Sequence, residues 1–133
     1  MTARKSRISD PFAVRSEHAE QCALIKWWAL ECRRFCVFEN LLFAIPNGGA
    51  RSVVTGATLK AEGVRPGVPD LFLSVTAKGY SGLFIEMKKK SGGRASAAQK
   101  QMKIFLERSG YCVKVCYGFD EAKKEIEIYL NSV

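Results

Sequence analysis

The chain has 133 residues, 47% of them apolar and 26% charged, with a formal net charge of +8 and a sequence pI of about 9.4. A chain this size makes one domain that buries roughly two-thirds of its unfolded surface, and the cationic excess favours an anionic partner, either nucleic acid or an acidic membrane surface. No apolar stretch is long enough to span a bilayer. The opening Met1-Thr2-Ala3-Arg4-Lys5-Ser6-Arg7 has no hydrophobic segment behind it, so neither a signal peptide nor secretion is expected.

Residues 1–15 are polar and basic and are expected to form a loose arm, with the folded domain over 16–133. Ser16 is placed to cap a helix running to about Arg34, with Glu17 and Glu20 early and Arg33-Arg34 at its end, as the helix dipole prefers. Ala19, Cys22, Ala23, Trp27 and Leu30 recur at helical spacing. Trp27 and Trp28 lie about 100° apart on that helix, so one of them faces either a partner subunit or an overlying loop. Leu41-Leu42-Phe43-Ala44-Ile45 reads as a buried strand stopped by the turn Pro46-Asn47-Gly48-Gly49. Thr55–Glu62 suits a short helix with Gly63 as its left-handed terminator.

Two apolar runs follow, Leu71-Phe72-Leu73 and Leu83-Phe84-Ile85, joined across Lys78-Gly79-Tyr80-Ser81-Gly82. Lys88 to Arg94 reads as a basic loop. Ser96-Ala97-Ala98-Gln99 has the form of a capping box, and its helix sets Met102, Phe105 and Leu106 on one face before Gly110. Tyr111–Tyr117 alternates as a strand, and a last helix from Asp120 or Glu121 carries the stripe Ala122, Ile126, Tyr129 and Leu130. The order α-β-α-β-β-α-β-α predicts a single α/β domain, a small mixed sheet flanked by helices. The five cysteines lie within helix-like and strand-like segments. Cys112 and Cys116 alternate toward the core, where a free thiol packs as a small hydrophobe; core thiols in a reducing cytoplasm fit better than a zinc site.

The residues that carry chemistry are Asp70, which opens one apolar run, and Glu86-Met87-Lys88, which ends the next. Residues two apart in a strand share a face, so Glu86 and Lys88 point together. If the two runs pair as a hairpin, Asp70 reaches the same face. Paired carboxylates hold a hard cation such as Mg²⁺ through oxygen, and a nearby lysine orients the water such a cation activates. The alternative is a solvated surface ion pair of small worth. Charges that close an otherwise apolar strand are costly without partners, which favours a site.

Pro69-Asp70, fifteen residues, then Glu86-Met87-Lys88 matches the PD-(D/E)XK nuclease pattern. More narrowly, the chain resembles the virus-type replication–repair nuclease group, VRR-NUC, in stand-alone form. The resemblance lies in Glu17-x-x-x-Gln21, Ile45-Pro46-Asn47-Gly48-Gly49-x-Arg51, Leu59-Lys60-Ala61-Glu62-Gly63-Val64-x-x-Gly67-Val68-Pro69-Asp70-Leu71 and Gly82-Leu83-Phe84-Ile85-Glu86-Met87-Lys88. Gly93-Arg94-x-Ser96-x-x-Gln99 and Gly110-Tyr111…Glu121-Ala122 complete it, over roughly residues 16–131.

The resemblance implies that Asp70 and Glu86 ligate Mg²⁺ or Mn²⁺, with the Met87 carbonyl as a third protein oxygen. Lys88 would position the attacking water as a positive charge more than as a base. Glu17 would assist from the first helix, with Glu20 as its rival, and Gln99 would hold Lys88 or the phosphate. His18 has no expected part. Arg51, Lys60, Arg65, Lys89, Lys90 and Arg94 suit a DNA track beside the site, against the alternative of a solvated basic face. The expected activity is metal-dependent cutting of branched DNA by a homodimer similar to a Holliday-junction resolvase. The alternatives are a less selective phage-type flap or single-strand nuclease, and a basic DNA-binding module without turnover. A bacterial or phage-infected cytoplasm is the expected setting.

Overall fold

The first turn of the chain's first helix is closed by the Ser16 hydroxyl, which accepts the Ala19 N–H at 3.1 Å. In the computed structural model, which describes residues 16–46 and 56–131, this helix is α1, Glu17–Glu31. The 1–15 arm, the Asn47-Gly48-Gly49 turn and Arg51 lie outside the described residues. α1 ends at Glu31, short of Arg34, because the chain tightens into a 3-10 turn over Cys32–Phe35 that stops with Cys36 in the left-handed region. Four-residue spacing buries Glu20, Leu24 and Trp28. Trp28 is the core tryptophan: its indole N–H donates to the Glu39 carbonyl at 2.8 Å, and its ring stacks on Phe35. Trp27 packs edge-on against Phe119 of the same chain.

The remaining elements follow in the expected order: β1 (Leu42–Ala44), α2 (Gly56–Ala61), β2 (Leu71–Leu73), β3 (Leu83–Lys88), α3 (Ala97–Arg108), β4 (Cys112–Tyr117) and α4 (Phe119–Leu130). The sheet runs β1-β2-β3-β4, antiparallel across the first two pairings and parallel at the third. The register pairs Leu71 with Ile85 and Leu73 with Leu83. Leu42, Leu71, Leu73, Leu83, Ile85, Met87 and Cys116 thus turn to one face and pack with Leu24, Trp28, Ala122, Ile126 and Tyr129 of α1 and α4. Each fully buried leucine there contributes about 2 kcal/mol. β1 is an edge strand, not the buried one expected: Phe43 is 43% exposed, and only Leu42 of its three residues is buried.

Phe43, Phe72 and Phe84 occupy the opposite face, with the Phe72 and Phe84 rings stacked at 4.4 Å. Asp70, Glu86 and Lys88 share that face by strand alternation. α3 rests chiefly on β4 and buries none of its residues fully. Phe105, expected on its inner face with Met102 and Leu106, is 54% exposed. α3 leans to the β4 side, and its first turn is the part that reaches the carboxylate-bearing strand ends. Cys116 sits in the core, and burial pushes its thiol up to about 12, which keeps it protonated and inert. Cys112 is half-buried against the same cluster.

Candidate active site

The site forms where β2 begins and β3 ends. Antiparallel pairing of Leu71 with Ile85 carries Asp70 to the level of Glu86. The Asp70 Oδ2 then accepts the Met87 N–H at 2.7 Å, which fixes the carboxylate beside the strand. Gly67 holds the preceding turn against α3. Its φ is +82°, and a Cβ there would meet the Ala98 carbonyl oxygen at 2.3 Å, so only glycine permits this approach. The same contact brings the first turn of α3, and Gln99 with it, over the strand ends.

Gln99 is the connector. Its backbone N–H donates to the Ser96 hydroxyl at 3.1 Å, and its Oε1 accepts the Ser96 N–H at 2.9 Å, completing the capping box. The same Oε1 accepts from Lys88 Nζ at 2.9 Å, while Nε2 donates to Glu86 Oε1 at 2.6 Å. Lys88 Nζ also lies 3.7 Å from Glu86 Oε1. One amide therefore caps a helix and spaces a carboxylate from an ammonium.

Glu86 is 5% exposed, and its Oε2 is buried with no hydrogen-bond partner. Burial, then the negative charge of Asp70, push the Glu86 carboxyl up to about 8. Lys88 pulls it down and Glu17 pushes it further up. A buried acid crowded by a second acid, with one oxygen orphaned, fits the donor set of a hard divalent cation. Asp70 and Glu86 would hold such a cation. The Gly82 and Lys88 carbonyls accept from Cys112 and Gly118 on the β4 side. Alternation therefore turns the Met87 carbonyl to the other edge, where its own N–H meets Asp70.

The two candidates on α1 separate. The Glu20 carboxylate accepts the Phe119 N–H at 2.7 Å, capping α4 from 99 positions away. It is 3% exposed and committed to the fold. Glu17 is exposed and acts on Glu86 through its charge. Among the described residues no three His, Cys, Asp or Glu side chains converge as a metal cluster. His18 contacts Cys22 on the surface of α1.

Lys60 and Arg65 line a cleft of about 640 Å³ together with Asp70, Glu86 and Gln99. Lys89 and Arg94 are exposed on the loop between β3 and α3. Lys90 is drawn away from the cleft: its Nζ lies 3.5 Å from Asp120, and its stem packs over Gly118. Lys100 and Lys103, which sequence reasoning passed over, stand on the α3 face near Glu86. The signal was present in their i, i+3 spacing after Gln99.

A model of the VRR-NUC domain matches residues 4–120 of this chain. A solved structure described as a VRR_NUC domain protein superposes with a TM-score of 0.75 at 27% sequence identity, over 88% of this chain and 89% of that one. No curated protein matches by sequence.

Proposed function

We propose a reaction from the premise that this chain belongs to the VRR-NUC family, nucleases of the PD-(D/E)XK type. It is a Mg²⁺- or Mn²⁺-dependent endodeoxyribonuclease that hydrolyses phosphodiesters in branched DNA, acting as a homodimer on four-way junctions. The single observation that carries metal dependence is the orphaned, buried Glu86 Oε2 beside Asp70. A divalent cation, when bound, supplies Lewis-acid stabilisation of charge on the phosphate and lowers the pKa of its water.

The chain's own residues do the rest. Asp70, fixed by the Met87 amide, and Glu86, fixed by Gln99, hold two oxygens in set positions. Lys88 keeps its ammonium 3.7 Å from Glu86 Oε1, from where it would orient water and meet phosphate charge. Gln99 keeps Lys88 from collapsing fully onto Glu86. Lys60 and Arg65 offer the cleft wall two cations for the DNA backbone. Two such sites on a two-fold axis suit paired nicks in a junction. Leu30 and Phe38, each 83% exposed near the end of α1, offer apolar area for the contact between copies. Trp27, packed on Phe119, does not. No described helix is long and apolar enough to cross a membrane.

The test is incubation with labelled four-way junction, flap and linear duplex, in Mg²⁺, in Mn²⁺ and in EDTA. Symmetric nicks in the junction alone, lost in EDTA, are expected. Broad digestion of all three assigns a less selective nuclease, and binding without cutting assigns a DNA-binding module.

A further inference from the structure

Glu86, Gln99 and Gly67 form a partition between two hollows. On one side lies the cleft holding Asp70. On the other lies a cavity of about 220 Å³ between α3 and the β3–β4 part of the sheet. Its walls are apolar, from Pro69, Ala95, Val113 and Val115, and its cations are Lys100 and Lys103. The cavity exists because α3 leans on β4 without burying any residue fully.

We propose that this cavity is a slot for one nucleobase unstacked from the DNA beside the phosphate that the cleft cuts. The inference rests on the nuclease reading above and extends it to the feature of DNA recognised. Size decides the occupant. At about 220 Å³ the slot falls below the ~300–1,000 Å³ of sites for drug-sized molecules. It has room for a flat ring system and not for a whole nucleotide. Chemistry agrees, since the apolar walls suit the flat faces of an extruded base. Lys100 and Lys103 suit the phosphates on either side of an extruded base. The slot shares Glu86 with the cleft, so a base inside it belongs to a nucleotide next to the scissile bond.

Such a slot would select structure. Extruding a base costs more from an intact duplex than from a mismatch, a branch or a single strand. A slot that must be filled therefore favours DNA whose pairing is already broken beside the cut.

The experiment is a scan of abasic sites. A four-way junction is made in versions that each lack one base at a position flanking the cut, and binding is read by fluorescence anisotropy. Wild-type protein is compared with Ala95→Phe, which fills the slot from the loop before α3. At one position, base removal should weaken wild-type binding roughly 10-fold or more, the scale of burying one apolar group of that size. Ala95→Phe should weaken binding to intact junction by a similar factor and show no further loss at that abasic position. Should Ala95→Phe fail to fold, Val115→Phe enters the same space from the sheet. Equal binding at every abasic position, or losses that multiply in the variant, would overturn the slot. Cleavage is scored separately: DNA bound with the predicted non-additivity but never cut would overturn the nuclease reading and leave the slot standing.

Discussion

The Asp70 carboxylate accepts the Met87 backbone N–H at 2.7 Å, so the first acid of the site is also a clamp on the strand that carries the second. Asp70→Asn keeps an oxygen for that N–H and removes the charge facing Glu86. Without metal this variant should unfold at a temperature equal to or above wild type, while cutting falls at least about 100-fold. Asp70→Ala leaves the N–H unpaired and should cost about 1–3 kcal/mol in a urea melt. Full cutting by Asp70→Asn would discard the site.

Glu86 gives a pH dependence with a definite sign. Its folded carboxyl sits near 8 against an ordinary value of 4.5. Its contribution to stability is therefore fully present below about pH 4.5 and is lost as pH rises toward 8. In EDTA the melting temperature should fall across that window, and Glu86→Gln should remove this part of the slope. Adding Mg²⁺ at pH 7 should release protons, read by calorimetry in two buffers of different ionisation heat. Heat independent of buffer would contradict the raised carboxyl.

Gln99 has two roles that two variants separate. Ser96→Ala removes the cap and should cost about 1 kcal/mol with cutting largely retained. Gln99→Ala removes the cap and the bridge between Lys88 and Glu86, and should lower cutting by about 10- to 100-fold, the range for a group that orients a metal ligand. Equal activity of the two variants would reduce Gln99 to a helix cap.

The acids of α1 should split in the same manner. Glu20→Ala leaves the Phe119 N–H unpaired and should destabilise by about 1–3 kcal/mol, with metal affinity of the folded protein unchanged. Glu17→Ala should leave stability within about 0.5 kcal/mol and alter Mg²⁺ affinity. Thermal melts and metal titrations of both variants decide.

For DNA, Lys60→Ala and Arg65→Ala should each lower the salt slope of duplex-region binding by about 0.9. Lys90→Ala, paired with Asp120 away from the cleft, should leave it unchanged. An equal effect at Lys90 would mean that DNA crosses the α4 end of the sheet.

Local signals in the sequence led directly to local structure. Ser16 and Ser96 cap as their spacing predicted, and Gly63 takes the left-handed conformation. Strand alternation was enough to place Glu86 and Lys88 on one face. Long-range partners left no such trace. Glu20 caps a helix 99 positions away, and no periodicity within α1 distinguishes that from facing metal. Leu41–Ile45 looked buried because its composition is apolar, yet an edge strand with one helix-covered face reads the same way. Phe105 was misplaced for a related reason, since a helix that leans to one side of a sheet leaves part of its apolar stripe to solvent.

The close approach of Gly67 to Ala98 makes one position the setting screw of the whole centre. A methyl group there would force the turn before β2 away from the start of α3, and the two halves of the site would part together. Alanine at position 67 should thus leave every reactive group in the chain while widening the gap they must span. Geometry at this point is held by the absence of an atom.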